Sequence, residues 1–171
     1  IWSWPINIIG IIVPMLEIAF NQHHTAENEA EYVQHYLSSN RARAAYESDN
    51  ICSKLLTQNL KTDKYHLTSS CTASLEISCL LAGIGPGDEV ILPSHTFSST
   101  ANAIALRGAV PVFVDVKPST LNIDETLIEQ AITSKTKAII AVHYAGIACN
   151  MNVITEIAER HKLFVIEDAA Q

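Results

Sequence analysis

The sequence lacks several features that mark common functional classes. It has no run of basic residues and its formal net charge at pH 7 is −7, which argues against nucleic-acid or anionic-membrane binding. It has no GxGxxG or P-loop motif, so neither of these nucleotide-binding loops is indicated. Its four cysteines form no CxxC pair and its histidines are scattered, so no metal site is expected. Widely spaced cysteines favour reduced thiols and a cytoplasmic protein.

The composition is that of a folded globular protein. The chain has 171 residues, of which 48% are hydrophobic and 17% charged, a balance that argues against disorder. We interpret residues 26–171 as part of one domain and residues 1–25 as an apolar leader. The leader is interrupted by proline and polar residues, so neither a membrane span nor a signal peptide is favoured: Pro5, Asn7, Pro14 and Glu17.

Short apolar runs alternate with helical patterns over most of the chain. The runs predict strands and the segments between them predict helices, and two further helices are predicted before the first strand. The predicted strands are Tyr65–Thr68, Glu89–Leu92, Pro111–Val114, Ala138–Val142 and Leu163–Ile166. The predicted helices are Ala26–Asn40, Ile51–Leu60, Thr72–Ala82, Thr100–Leu106, Asp124–Thr133 and Met151–His161. This alternation predicts an α/β fold with helices on both faces of a mostly parallel sheet.

Ligands of such sheets bind beyond the carboxyl ends of the strands, so the residues after each apolar run are candidate site residues. The segment Thr68–Ala73 joins a predicted strand to a predicted helix and is rich in small hydroxyl residues. Backbone amides at that helix start, with the hydroxyl of Ser70 or Thr72, are suited to bind a phosphate group. The alternative is that the serine or threonine only caps the helix.

Phe97 and Asp168 also follow apolar runs. Phe97 has the flat side chain needed to stack on a heterocyclic ring, although an aromatic residue after a strand is also a common core residue. A carboxylate at the position of Asp168 suits a protonated ring nitrogen, which a pyridoxal ring requires as an electron sink. The alternative is an aspartate that caps a helix beginning at residue 169.

Two further residues have open assignments. His143 follows a predicted strand and is either an acid, base or ring contact, or a hydrogen-bonded structural residue. Cys71 lies at the start of a predicted helix, where the thiol pKa is expected to be lowered, but no histidine is paired with it for nucleophilic catalysis.

Four segments together resemble the DegT/DnrJ/EryC1/StrS sugar aminotransferases, a family of fold-type I pyridoxal-phosphate enzymes. The segments are LTSSCTASLE (67–76), GIGPGDEVILPSHTFSSTANAIALRGAVPVFVDV (83–116), LNIDETLIEQAITSKTKAIIAVHYAGIACNM (121–151) and KLFVIEDAAQ (162–171). The resemblance is close over residues 60–171 and looser over residues 27–59. One departure is at residues 43–48, where the family has a glycine-rich turn and this chain has no glycine.

The resemblance implies pyridoxal 5′-phosphate as cofactor and the N-terminal half of a fold-type I large domain. Thr72 and Ala73 match the family's phosphate-binding pair, and Phe97 matches the aromatic residue on the pyridine ring. Asp168 matches the carboxylate paired with the ring nitrogen, and Gln171 the side chain near the phenolic oxygen. The family's Schiff-base lysine lies in an SxxxK-type motif downstream of residues 167–171, and no lysine of this chain matches it. We therefore expect the chain to be a truncated, catalytically incomplete form.

For the complete enzyme, the resemblance implies transfer of an amino group from glutamate to a dTDP-linked 4-keto-6-deoxyhexose. The products of such enzymes are sugars of cell-surface polysaccharides, and the family members are homodimers. One alternative is a non-catalytic remnant or binding module that retains only the cofactor-binding residues. Another is a generic nucleotide-binding α/β domain, which the missing glycine motif disfavours.

Overall fold

The computed structural model describes residues 24–38 and 41–171, so most of the apolar leader proposed for residues 1–25 lies outside the described residues. The chain divides into two compact units between Tyr65 and His66. The sequence pattern did not indicate this boundary. No helix among the described residues combines the length and apolar character needed to cross a membrane.

The first unit contains helices α1 (Glu29–Ser38) and α2 (Arg41–Leu60). Glu29 and Glu31 lie in the first turn of α1, where negative charge complements the helix dipole. Helix α2 is twice as long as the helix predicted from residue 51, because it continues through residues 43–48. That segment has no glycine, the residue that most readily adopts a positive φ and interrupts a helix.

The second unit is built on a parallel sheet of four strands. These are β1 (Glu89–Pro93), β2 (Val110–Val114), β3 (Thr136–Val142) and β4 (Phe164–Asp168), in the spatial order β2-β1-β3-β4. Every neighbouring pair is parallel, and Ile91 of β1 lies beside Val112 on one side and Ile139 on the other. The sheet confirms the α/β fold that the sequence predicts, and four of the five predicted strands lie within two residues of the observed ones.

Helices cover both faces of this sheet. Helices α3 (Cys71–Leu81) and α4 (Ser98–Leu106) pack with Val90, Leu92 and Ile140 in one apolar cluster. Helix α5 (Met151–His161) packs with Ile91 and Ile139 in the other. Successive residues of β1 and β3 therefore enter opposite clusters, and burial of each such side chain contributes about 1.5–3 kcal/mol. Because the central strands β1 and β3 are covered on both faces, a ligand can reach them only at their ends.

Two predicted elements are wrong. Residues 65–68 form no strand, because a strand requires a hydrogen-bonded neighbour and none of the described strands pairs with this segment. Residues 124–133 form two separate 3-10 helices, Glu125–Leu127 and Glu129–Ala131, in place of one α-helix. The side chain of Asp124 caps the first by accepting from the Thr126 amide, so the chain turns more tightly there than the apolar spacing suggests.

Candidate functional site

The carboxylate of Asp168 lies at the carboxyl end of β4 and only 6% of the residue is exposed. Its Oδ2 accepts a hydrogen bond from the Thr100 hydroxyl at 3.1 Å. Its Oδ1 accepts from the Ala170 amide at 3.2 Å and from the Cys71 thiol at 3.6 Å. The Ala170 contact is of the kind that the helix-capping alternative predicts. The carboxylate therefore connects β4 to the start of α3 and to α4.

The three donors around Asp168 are all neutral. No described lysine, arginine or histidine forms an ion pair with this carboxylate. An ionised carboxylate offers about four lone-pair positions, of which three are occupied here. A buried carboxylate without a cationic partner is unfavourable, so the site is suited to a cationic ligand that carries one N–H donor.

The thiol of Cys71 is less acidic than its position at the start of a helix suggests. Burial raises the pKa of its thiol, and the charge and hydrogen bond of Asp168 raise it further. The expected lowering by the start of α3 is therefore wrong, because burial and the nearby carboxylate of Asp168 both disfavour the charged thiolate. Cys71 acts here as a hydrogen-bond donor and is not activated as a nucleophile.

The start of α3 is capped by Ser70, whose Oγ accepts from the Ala73 amide at 3.2 Å. This is the capping alternative considered for the segment, and it occupies one of the two residues expected to bind phosphate. Thr72 is exposed, and no residue described by the structure accepts a hydrogen bond from its amide. Thr68 supports the turn by bonding the Ser70 carbonyl at 3.0 Å and the Ser74 hydroxyl at 2.6 Å.

Phe97 lies between β1 and α4, at the same edge of the sheet as Asp168. Phe97 is 76% exposed and belongs to neither apolar cluster of the second unit. The alternative that Phe97 is a core residue of this unit is therefore wrong. The rings of His95, which follows β1, and Tyr144, which follows β3, lie at the same sheet edge, with centroids 4.8 Å apart. An exposed ring at a strand end is free to contact a flat ligand.

His143 and Gln171 form contacts at the ends of β3 and β4. The Nδ1 atom of His143 accepts from the Cys149 amide at 3.1 Å, so Nε2 carries the proton and donates to Glu167 at 2.9 Å. Both ring nitrogens are thus occupied, which favours the structural assignment of His143. The Oε1 atom of Gln171 accepts from the Ala145 amide at 2.6 Å.

A second buried network lies below the loops that follow β2 and β3. Glu125 is 7% exposed and pairs with Lys117, while Asn150 donates to the same oxygen at 3.2 Å. Burial raises the pKa of Glu125, but the hydrogen bonds from Lys117, its own amide and Asn150, with the Lys117 charge, outweigh burial and leave the pKa below its ordinary value. This network joins the loops that follow β2 and β3.

The structure thus brings Cys71 and Asp168 together and links Phe97 to them through Thr100. A cavity of about 270 Å³ lies beside this group, lined in part by Cys71, Ser74 and Ala169. Gln171 contacts the turn after β3, and Thr72 adjoins Cys71 without contacting Asp168. Thr100 was predicted only as the first residue of a helix and not as a site residue. Its signal was a hydroxyl at the same helical spacing as Ala103 and Ile104, on the face that is otherwise apolar.

Comparison with known proteins matches residues 23–171 to the model of the DegT/DnrJ/EryC1/StrS aminotransferase family. The chain is 53% identical over 102 residues to the spore coat polysaccharide biosynthesis protein SpsC of Bacillus subtilis, a match that covers 60% of this chain and 26% of that protein.

Solved structures of aminotransferases are also similar. The aminotransferase from Psychrobacter cryohalolentis is 33% identical with a TM-score of 0.80, over 86% of this chain and 38% of that one. NtdA from Bacillus subtilis, with bound cofactor PMP, is 38% identical with a TM-score of 0.73, over 85% of this chain and 34% of that one. The chain therefore spans about a quarter to two fifths of the length of these proteins. Because the family model matches residues 23–171, well over half of the chain, the protein belongs to the DegT/DnrJ/EryC1/StrS aminotransferase family.

Proposed function

We propose that the complete protein is a pyridoxal-phosphate-dependent transaminase that moves the amino group of glutamate onto a dTDP-linked 4-keto-6-deoxyhexose. Family membership supports the class of reaction. The name of the SpsC relative supports the synthesis of polysaccharide sugars as the setting. The nucleotide sugar and the glutamate donor rest on the resemblance of the sequence to the family.

The observation that carries the proposal is the buried carboxylate of Asp168, which contacts three neutral donors and no described cation. A protonated pyridine nitrogen is a flat cation with one N–H group, so it would fill the remaining lone pair and balance the charge. The opposite charge of Asp168 would in turn hold the proton on that nitrogen. The residues present thus fit a pyridoxal cofactor, and the PMP found in the similar NtdA structure supports the same assignment.

Bound pyridoxal phosphate supplies an electron sink and carries the amino group between the two substrates. Around it, Asp168 would keep the ring nitrogen protonated and the exposed ring of Phe97 would cover one face of the ring. The Thr72 amide at the start of α3 would bind the phosphate, aided by the helix dipole. The Ala73 amide would join it once the Ser70 side chain turns away, and Gln171 would lie near the phenolic oxygen.

We further propose that the complete protein is a cytoplasmic homodimer. All four cysteines lie among the described residues and none forms a disulfide, which supports a reducing compartment. The homodimer rests on the family resemblance. Light scattering on the complete gene product tests it, and a mass equal to one chain would contradict it.

The activity is tested with the complete gene product, purified with pyridoxal phosphate and given glutamate and a dTDP-linked 4-keto-6-deoxyhexose. The expected result is formation of the amino sugar nucleotide and 2-oxoglutarate in equal amounts, detected by mass spectrometry. Asp168→Asn is expected to lower the rate strongly, whereas Glu156→Gln, an exposed change on α5, should leave it unchanged. Cofactor binding without amination of any keto sugar would instead support the non-catalytic binding module.

A further inference from the structure

Thr100 contacts both of the residues that the proposed function assigns to the cofactor ring. Its backbone amide donates to the Phe97 carbonyl at 3.1 Å, and its hydroxyl donates to Asp168 Oδ2 at 3.1 Å. The residue is completely buried within α4. One buried side chain therefore joins the segment that presents the exposed aromatic ring to the strand end that holds the carboxylate.

The direction of the hydroxyl chain around Thr100 follows from the chemistry of its partners. A carboxylate can only accept, so the Thr100 hydroxyl proton is committed to Asp168. The Thr100 oxygen must then accept from Thr96, whose hydroxyl lies 2.9 Å away. The hydrogen bonds run in series from Thr96 through Thr100 to Asp168, an arrangement in which each bond strengthens the next.

This use of a helical threonine is not the usual one. Inside helices, threonine hydroxyls commonly bond a carbonyl one turn earlier, and threonine is a poor helix former. Ser78 and Thr155 of this chain do bond carbonyls four residues earlier, whereas the Thr100 hydroxyl reaches a residue 68 positions later. An alanine or a valine would fill the same place on the apolar face of α4 but would offer no hydroxyl to Asp168.

The two oxygens of Asp168 also have different partners. Thr100 occupies Oδ2, while Cys71 and Ala170 occupy Oδ1. Rotation of the carboxylate would break bonds on both sides, so its remaining lone pair is held in one direction. Removing the Thr100 hydroxyl would leave Oδ2 without its only described donor.

We propose that Thr100 is a positioning residue that holds the carboxylate of Asp168 and the helix start next to Phe97 in fixed relation. The ligand it serves is a pyridinium ring that contacts Asp168 through its nitrogen and Phe97 through its face. The inference rests on the proposed function, because it takes Asp168 and Phe97 as ring contacts.

The test measures PMP binding by the complete gene product, since PMP binds without a covalent bond to the protein. Thr100→Val removes the hydroxyl and keeps the shape, and Thr100→Ser restores the hydroxyl. Thr126→Val is the matched control, because Thr126 also donates a hydroxyl to a carboxylate, that of Asp124 at 2.7 Å, on the surface. The readouts are the Kd and the circular dichroism induced in the bound PMP, which reports the orientation of the ring.

Thr100→Val is expected to weaken PMP binding about 10-fold, the size expected for a hydrogen bond to a charged group, and to reduce the induced circular dichroism. Thr100→Ser is expected to bind within about 3-fold of the wild type, and Thr126→Val to be unchanged. Wild-type binding and an unchanged spectrum in Thr100→Val would overturn the inference. Should Thr100→Val fail to fold, Thr100→Ala decides, because it also removes the hydroxyl donor: weaker PMP binding supports the inference, and unchanged binding overturns it.

Asp168→Asn separates this inference from the proposed function. If Asp168→Asn weakens PMP binding and Thr100→Val does not, only the role of Thr100 is wrong. If the wild type binds no PMP, or if Asp168→Asn binds it equally well, the proposed function is wrong and the role of Thr100 is lost with it.

Discussion

The Sγ atom of Cys71 lies 3.6 Å from Oδ1 of Asp168 and joins the start of α3 to the end of β4 across 97 positions of the sequence. The thiol is the donor, since the carboxylate can only accept. The first residue of α3 thus contacts the end of β4. A single ligand could therefore place an anionic group at the start of α3 and a cationic group beside Asp168. This is the arrangement that the proposed function requires.

Cys71 is expected to react slowly with iodoacetamide. Burial and Asp168 raise its thiol pKa, so less reactive thiolate is present at a given pH. Cys52, which is exposed like Cys71, serves as the internal reference, and mass spectrometry of the labelled peptides gives both rates. Asp168→Asn should accelerate labelling of Cys71, because it removes the negative charge while burial remains. Faster labelling of Cys71 than of Cys52 in the wild type would contradict this account.

Glu125 is expected to give the protein an acid-sensitive component of stability. Its pKa is lowered in the folded chain, whereas the unfolded carboxyl keeps its ordinary value of 4.5. The contribution is therefore complete above about pH 4.5 and is lost as the pH falls through the lowered pKa. Urea unfolding between pH 3 and pH 7 measures it.

Glu125→Gln should lower stability at pH 7 and reduce the loss of stability on acidification. Glu156→Gln is the control, because Glu156 is exposed and makes no hydrogen bond or ion pair with a described residue. An identical pH dependence in the wild type and Glu125→Gln would refute the assignment of this component to Glu125.

Ser70→Ala is expected to destabilise the protein by about 1 kcal/mol, the usual effect of removing a helix cap. The variant leaves the Ala73 amide without the oxygen it now contacts at 3.2 Å. The free energy of unfolding, measured in urea, gives the change. Ser119→Ala provides the comparison, since Ser119 is exposed and caps no described helix. Equal stabilities of the two variants would show that the cap does not contribute.

Ile140→Ala is expected to cost about 2–5 kcal/mol, because it opens a cavity in a completely buried part of the sheet. Leu106→Ala removes the same number of carbon atoms from a side chain that is 67% exposed, and should cost less than about 0.5 kcal/mol. The same urea titration measures both. A similar loss in the two variants would contradict the assignment of Ile140 to the core.

The sequence pattern was sufficient for the sheet because its central strands are buried on both faces. Continuous apolar runs such as residues 138–142, with β-branched Ile139, Ile140 and Val142, are typical of strands that are buried on both faces, so their position could be read closely from the sequence. Residues 65–68 were also predicted as a strand, but a strand depends on a neighbour, which a local pattern does not reveal. Residues 124–133 were wrongly predicted as one α-helix. Glu125 contacts Lys117, eight positions earlier, and the apolar spacing of the segment does not reveal this contact.

The site was predictable in part. Asp168, Phe97 and Thr72 could be proposed as site residues because ligands of parallel sheets lie at strand ends, and the resemblance implied a role for each. The hydrogen bond from Thr100 to Asp168 could not be predicted, since it depends on how α4 lies against β4. The raised pKa of Cys71 was missed for the same reason: its cause is a carboxylate that is distant in the sequence.

The affinity of the complete gene product for PMP, compared between the wild type and Asp168→Asn, tests the central claim most directly. The claim is that the buried carboxylate of Asp168 pairs with the ring nitrogen. The expected result is measurable binding by the wild type and a loss of at least about 30-fold in Asp168→Asn, the size of about 2 kcal/mol for one partner of a buried charge pair. Equal affinities of the two proteins, or no binding by the wild type, would contradict it.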